Sequence, residues 1–234
     1  KALNADMQIV VAFRMLPEIV WNMPPMGTIN VHASLLPNYR GAAPINWAII
    51  NGETETGITT FKLQQEIDTG NILMQEKISI SENETAGELH DALKLLGADV
   101  LIKTVEGLIN KTLAEVSQSE IRTPESEIKL APKINTETCT IDWSKNADDI
   151  FNLIRGLSPY PTAFTYLHDK MLKIYFGKKE ISDHPYANGD VLSDGKTFLK
   201  FACTNGFIHC TDIQLQGKKR MLIEEFLRGY RINK

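Results

Sequence analysis

Asn30 and His32 are the first side chains whose types and spacing suggest chemistry. They lie two residues apart at the end of a short predicted strand, residues 28–32. Alternate residues of a strand point to the same face, so both side chains can reach one pocket. Strand ends are also where ligands of α/β proteins bind. An Asn amide can donate to a developing oxyanion, and a His can accept or donate a proton near neutral pH. The pair alone is weak evidence, because such pairs are common in ordinary structure.

Asp68 is the third candidate, in the turn Asp68-Thr69-Gly70 that follows a predicted strand. An Asp at the start of a Gly-containing turn commonly accepts hydrogen bonds from its own backbone. The alternative is catalytic: a carboxylate that reaches His32 would orient the imidazole ring and stabilise its charged form. The sequence leaves both interpretations open.

The loop after the Asn30/His32 strand, residues 33–44, is bounded by Pro and Gly and supplies backbone amides, carbonyls and apolar wall at the same strand end. Its Arg40 can bind an anion or pair with one of the carboxylates in this half of the chain. No P-loop, dinucleotide-binding Gly motif, zinc-binding motif or serine-hydrolase motif occurs, and no metal site is expected.

The elements that must position these residues follow two different patterns. In the first half, strand signals at residues 7–13, 28–32, 56–63 and 72–80 alternate with helix signals at 17–22, 45–50 and after the capping-box sequence 85–88. This alternation predicts an α/β layer structure. Residues 7–13 are apolar along nearly their whole length, which predicts a strand covered on both faces.

The second half contains one predicted helix, residues 146–157, followed by five short strands. Asp194-Gly195 and Asn205-Gly206 are hairpin signals between those strands. Many short strands in a small domain predict a closed or partly closed β-barrel. We therefore divide the chain into a catalytic α/β domain (1–116), a linker (117–133) and a barrel domain (134–234).

Composition and charge set the remaining limits. Of 234 residues, 43% are apolar and 23% are charged, which is typical of a globular protein. The formal net charge of −4 does not indicate a strongly basic nucleic-acid binder. Residues 1–116 carry 8 basic and 14 acidic side chains, whereas residues 134–234 carry 14 and 12. A protein with a negative net charge can therefore still carry a basic surface that binds nucleic acid on one half of the chain. The cluster at residues 218–220 is either part of such a surface or an ordinary solvated turn.

The cysteines indicate the cellular compartment. Cys139, Cys203 and Cys210 are an odd number at no metal-ligand spacing. We expect reduced, mostly buried thiols in a reducing compartment, which here means the cytoplasm.

Residues 29–44 resemble the signature segment of the folate-dependent formyltransferases. Gly41-Ala42-Ala43-Pro44 is similar to the branch of that family that acts on charged tRNA, whereas relatives acting on nucleotide sugars tend to have Gly-Arg-Ala-Pro. The other matching segments are residues 51–53, 56–59, 67–70, 141–143 and 156–161. The resemblance covers nearly the whole chain. It implies a Rossmann-like formyltransferase domain followed by a small OB-like β-barrel domain.

This resemblance implies an enzyme that transfers a formyl group from 10-formyltetrahydrofolate to the α-amino group of methionine on initiator tRNA, for translation initiation. Asn30 would donate to the tetrahedral oxyanion and Asp68 would support His32. Whether His32 stabilises the oxyanion as an imidazolium or moves the proton of the amine stays open. Neither a metal nor a covalent intermediate is implied.

The same resemblance assigns the binding residues. The loop would hold the folate through Ser34, Leu35, Leu36 and Pro37. The pterin side would be walled by Phe13, Met15 and Leu16, in a segment that departs from the Tyr-Gly-type sequence common at this place. The barrel would grip the tRNA, and the candidate tRNA contacts are Arg40, Lys218, Lys219 and Arg220.

Two further expectations concern the extent of the chain and the alternative functions. The family has strands and helices upstream of Lys1, so we expect the N-terminal part of the catalytic domain to be missing. A sugar-nucleotide formyltransferase would share Asn30, His32 and Asp68. A formyltetrahydrofolate hydrolase or a glycinamide-ribonucleotide transformylase would explain those residues but not the barrel, and an RNA-binding module would use only the barrel.

Overall fold

The computed structural model describes residues 3–13, 15–121 and 127–232 and divides the chain into two compact units. The first comprises residues 1–48, 54–81 and 88–133, and the second comprises residues 49–53, 82–87 and 134–234. Within the described ranges, no helix is long and apolar enough to cross a membrane.

The first unit is built on a mixed sheet. Its strands are β1 (Gln8–Val10), β2 (Thr28–His32), β3 (Arg40–Gly41), β4 (Glu55–Lys62), β5 (Ile72–Ser79) and β6 (Leu130–Ala131). The order in the main sheet is β1-β2-β4-β5, with β1 parallel to β2 and the other pairs antiparallel. A separate parallel pair joins β3 to β6. The helices in this part of the sequence are α1 (Glu18–Trp21), α2 (Pro44–Ile50) and α3 (Ala86–Ile109).

Strand β2 is the buried centre of this sheet. Ile29 is fully buried, and four of the five β2 residues are buried. Its register against β4 pairs Asn30 with Phe61 and His32 with Thr59. Phe61 packs with Leu36 and Ile72 in one apolar cluster, so the polar end of β2 is supported by apolar side chains on neighbouring elements.

The prediction for residues 7–13 is wrong in length, and among the described residues the strand is not covered on both faces. Strand β1 covers only Gln8–Val10, and the side chains of Ile9 and Val11 are 44% and 58% exposed. Among the described residues β1 pairs with β2 alone. An edge strand lacks a neighbour on one side, so apolar composition does not guarantee the cover of a central parallel strand.

The second unit is an antiparallel sheet with helices packed on it. It contains α4 (Thr136–Cys139), α5 (Ala147–Gly156), β7 (Ala163–Leu167), β8 (Lys170–Ile181), β9 (Val191–Ser193), β10 (Leu199–Cys203), β11 (Gly206–Leu215), β12 (Met221–Leu222) and α6 (Ile223–Gly229). The order is β7-β8-β11-β10-β9, and β12 pairs with β11. The predicted hairpins at Asp194-Gly195 and Asn205-Gly206 are confirmed by the pairing of β9, β10 and β11. The sequence analysis missed β12 and α6.

Helix α5 (Ala147–Gly156) confirms the helix predicted over residues 146–157. The Asn146 side chain accepts a hydrogen bond from the Asp149 N–H, which satisfies one of the unpaired amides of the first turn. Ile150, Ile154 and Leu157 are buried in the core of the second unit. These three residues form the face of α5 that packs on the sheet.

The segment predicted as a linker is anchored where the structure describes it. Residues 118–120 form a 3₁₀ turn capped by the Ser117 hydroxyl, and β6 pairs with β3. Gln118 is only 5% exposed. Residues 122–126 lie outside the described residues. The Ser/Pro-rich composition predicts irregular structure, but it does not reveal that a buried Gln fixes the segment to the first unit.

The cysteines are free and buried, as predicted. Burial raises the pKa of each thiol, most strongly for Cys210, because a thiolate is poorly solvated in an apolar core.

Candidate active site

A cavity of about 1060 Å³ opens at the carboxyl end of β2 in the first unit. Asn30, His32 and Asp68 all line it. Asn30 and His32 reach it together because they are two residues apart on one strand. Asp68 comes from the loop between β4 and β5, which returns to the end of β2. The structure therefore brings the three candidate side chains to one site.

His32 is held by the main chain of the following loop. Its Nε2 atom lies 2.8 Å from the carbonyl oxygen of Tyr39. A carbonyl oxygen only accepts hydrogen bonds, so Nε2 must carry a proton there. In the neutral ring the lone pair is consequently on Nδ1. This atom is the one that can accept a proton at the site.

Asp68 faces that second nitrogen. Its Oδ2 atom lies 3.7 Å from His32 Nδ1, within ion-pair distance but longer than a hydrogen bond. The same oxygen accepts a hydrogen bond of 2.9 Å from the Gly41 N–H. The side chains of His32 and Asp68 are 7% and 12% exposed, so water screens them only weakly. Protonation of Nδ1 would create a poorly screened attraction between the ring and the carboxylate.

The self-capping interpretation of Asp68 does not account for this geometry. Asp68 has a φ of +56°, in the left-handed region, yet its carboxylate bonds a residue 27 positions earlier in the chain. Gly41 fits this contact only as glycine, since its φ is +128° and a Cβ would lie 2.4 Å from the carbonyl oxygen of Ala131.

Asn30 is 5% exposed, and its Oδ1 atom is buried without a hydrogen-bond partner in the described part of the chain. A buried amide group without a partner costs free energy unless a ligand or water completes it. Because Asn30 lines the cavity, its unpaired Oδ1 marks a place where a hydrogen-bond donor of a ligand fits.

The predicted folate-binding residues divide into two groups. Phe13, Met15 and Leu16 line the cavity. Ser34, Leu35, Leu36 and Pro37 are not among the described residues that line it. Ser34 and Leu36 are buried below the surface, where the Ser34 hydroxyl donates to the Asn38 carbonyl oxygen. The Leu36 N–H donates to Thr59 Oγ1, so this segment packs against β4 and braces the loop.

The candidate tRNA contacts also differ from one another. Two guanidinium N–H groups of Arg40 donate to the amide oxygen of Gln118, at 3.1 and 2.6 Å. Arg220 forms a bidentate pair with Asp212 and stacks on the Tyr175 ring. Lys218 and Lys219 are exposed. Sequence reasoning missed Gln118. It predicted that the loop supplies backbone amides and carbonyls, but it did not identify the Gly41 N–H or the Tyr39 carbonyl among them.

Two family models match the chain: "Formyl transferase" over residues 1–105 and "Formyl transferase, C-terminal domain" over residues 133–231. Among solved structures, HypX from Aquifex aeolicus in complex with tetrahydrofolic acid is 18% identical, with a TM-score of 0.69 over 96% of this chain and 39% of that one. The sugar 3N-formyl transferase WlaRD, in the presence of dTDP and 5-N-formyl-THF, is 21% identical, with a TM-score of 0.65 over 90% of this chain and 73% of that one. These structures establish the fold, and the two family models define the class as a formyl transferase with its C-terminal domain.

Curated relatives are much more similar in sequence. The methionyl-tRNA formyltransferase of Phocaeicola vulgatus is 52% identical over 233 residues, covering 97% of this chain and 72% of the relative. That of Flavobacterium johnsoniae is also 52% identical over 233 residues, covering 98% and 72%. The chain belongs to the formyl transferase family and, within it, to the methionyl-tRNA formyltransferases.

Proposed function

We propose that this chain formylates the α-amino group of methionine carried by initiator tRNA, with 10-formyltetrahydrofolate as the formyl donor. The observation that carries this function is the convergence of Asn30, His32 and Asp68 on one cavity, in a chain 52% identical to methionyl-tRNA formyltransferases. The cavity volume lies at the upper end of the range of sites that enclose small organic ligands.

His32 would take the proton released by the attacking amine. Its Nε2 proton is committed to the Tyr39 carbonyl, which leaves Nδ1 as the acceptor. As Nδ1 becomes protonated, the ring gains a positive charge 3.7 Å from Asp68 Oδ2. Asp68 then stabilises the charged ring, and the proton can pass from Nδ1 to the nitrogen that leaves with the folate.

Asn30 would act on the formyl oxygen. The folate supplies the activated formyl carbon, and negative charge develops on its oxygen as the amine adds. An Asn30 side-chain N–H directed into the cavity would donate to that oxygen. Phe13, Met15 and Leu16 would wall the pterin, while residues 34–37 brace the loop beside it.

We also propose a function for the second unit. The strand order and short hairpins of this unit are compatible with an OB-like barrel that binds tRNA, and the exposed Lys218 and Lys219 would contact phosphates. The matched relatives are longer than this chain, which covers 72% of them, and β1 has one edge without a described partner. The domain limits 1–116, 117–133 and 134–234 and a cytoplasmic site of action belong to the same proposal.

The test is formyl transfer to charged initiator tRNA, compared with transfer to an aminosugar nucleotide. We expect activity only with the tRNA. Asn30→Ala should reduce turnover by about 10²–10³-fold, the usual loss for one oxyanion donor. The exposed Asn110→Ala, on the same unit, is the matched control. Transfer to the sugar nucleotide alone, or full activity of Asn30→Ala, would contradict the proposal.

A further inference from the structure

Gln118 ties together two loops that meet at the candidate site. Its side chain has two N–H donors and one carbonyl oxygen with two lone pairs. Nε2 donates to the carbonyl oxygens of Asp68 and Gly70, at 2.8 and 2.9 Å. Oε1 accepts from Nε and Nη2 of Arg40. Every hydrogen-bonding position of this buried amide is therefore occupied by the Asp68 turn or by β3.

These bonds act on both partners of one contact. The carboxylate of Asp68 is bound by the Gly41 N–H, and Gly41 follows Arg40 in β3. Gln118 binds the backbone of Asp68 on one side and the side chain of Arg40 on the other. It consequently fixes the distance between β3 and the turn, and the Gly41–Asp68 hydrogen bond spans that distance.

These bonds support a turn that contains a costly backbone conformation. Asp68 has a φ of +56°, which is unfavourable for a residue with a Cβ. Gly70 cannot be replaced to stiffen the turn, since a Cβ there would lie 1.7 Å from the Lys62 carbonyl oxygen. The two bonds from Gln118 Nε2 hold the main chain on either side of Thr69, and this holds the carboxylate 3.7 Å from His32 Nδ1.

We propose that Gln118 is a positioning residue for formyl transfer, which sets the place of the Asp68 carboxylate relative to His32, with Arg40 as its anchor. This inference rests on the proposed function. It gives the half-buried Arg40 a role within the site, through two N–H groups that already bind Gln118. Gln118 lies between the two regions that the family models match, so the proposal also gives this connecting segment a function.

Gln118→Met keeps the length of the side chain and removes all four hydrogen bonds. We expect kcat to fall by about 10- to 100-fold, the loss typical of a reacting group displaced by about 1 Å, with KM for tRNA and for folate changed less than about twofold. Gln118→Glu can still accept from Arg40 but cannot donate to the Asp68 and Gly70 carbonyls. It should therefore be as impaired as Gln118→Met.

A double-mutant cycle separates positioning from general destabilisation. If Gln118 acts through Asp68, adding Gln118→Met to Asp68→Asn should cost less than about twofold further in kcat. Thr104→Val removes another buried polar group of the same unit, which bonds Thr60 and the Val100 carbonyl, and its effect should simply multiply with that of Asp68→Asn. Full multiplication of the Gln118→Met and Asp68→Asn effects would overturn the proposal.

A readout independent of activity distinguishes this inference from the proposed function. The ¹⁵N chemical shifts of the His32 ring report which nitrogen carries the proton and how it is bound. We expect Gln118→Met and Asp68→Asn to move the Nδ1 signal in the same direction and Thr104→Val to leave it unchanged. If circular dichroism shows that Gln118→Met is unfolded, the same measurement is made on Gln118→Glu. An unmoved His32 signal overturns the positioning role even if the enzyme formylates tRNA.

Discussion

Replacing Asp68 by Asn tests the electrostatic part of the site with little change of shape. The Asn oxygen can still accept the Gly41 N–H, so the 2.9 Å hydrogen bond that fixes the side chain is retained. What disappears is the negative charge 3.7 Å from His32 Nδ1. Any loss of rate then reports stabilisation of positive charge on the ring.

The magnitude follows from Coulomb's law. Two unit charges about 4 Å apart attract by about 4 kcal/mol at an effective dielectric constant of ~20, a value suited to groups as little exposed as these. If about half a proton charge has developed on the ring in the transition state, the stabilisation is about 2 kcal/mol. Each 1.36 kcal/mol is tenfold in rate, so kcat should fall by about 30-fold.

The assay is single-turnover formylation of charged initiator tRNA at saturating folate. Asp99→Asn, on the exposed face of α3, is the matched control because it removes the same charge away from the cavity. Chemical denaturation of both variants should show that the fold is kept. A fall of less than about twofold in Asp68→Asn would refute the electrostatic role and return Asp68 to a structural part of its turn.

Three further outcomes are expected. Gly41→Ala should lower the free energy of unfolding, measured by urea denaturation, by about 1–3 kcal/mol because of backbone strain. The new Cβ would also clash with the Ala131 carbonyl oxygen in β6, which adds to this loss. Replacing Lys218 and Lys219 by Ala should flatten the slope of log tRNA affinity against log salt by about 0.9 per lost contact, whereas Arg220→Ala should change it less because Arg220 is already ion-paired. Glu180→Gln should lower stability at pH 6 by less than about 1 kcal/mol, as expected for a partly exposed ion pair.

The pH dependence of the Glu180 prediction has a definite sign. Hydrogen bonds from His209 and then from Lys200 lower the pKa of Glu180 from 4.5 to about 2. A carboxylate with a lowered pKa contributes stability that is complete above its unfolded pKa and is lost as the pH falls through its folded pKa. The difference between wild type and Glu180→Gln should therefore shrink between pH 4.5 and about 2. A difference that grows in that interval would contradict the assignment.

Matched controls accompany the other variants. Gly195→Ala has a positive φ but nothing within 4 Å of the added Cβ, so it isolates backbone strain and should cost less than Gly41→Ala. Lys103→Ala removes an exposed charge on α3 and should leave the salt slope unchanged. The exposed Glu225→Gln should change the free energy of unfolding at pH 6 less than Glu180→Gln does. Equal effects of control and test variant would refute the corresponding prediction.

Local sequence patterns determined the elements that present the chemistry. Strand periodicity places Asn30 and His32 on one face of β2, and the structure has both at one cavity. The Asp194-Gly195 and Asn205-Gly206 pairs favour tight hairpins, and those hairpins form. These features could be predicted because a turn or a strand face depends on residues a few positions apart.

The tertiary structure decided which distant groups meet. Asp68 lies 36 positions after His32, and its approach depends on the return of the β4–β5 loop to the end of β2. Gln118 lies 50 positions after Asp68, in a segment whose composition predicts only a linker, and no local pattern indicates its bonds to the turn. The same holds for residues 34–37, whose side chains pack beneath the loop. Contacts of this range depend on sheet order and packing, which a one-dimensional pattern of residue types does not encode.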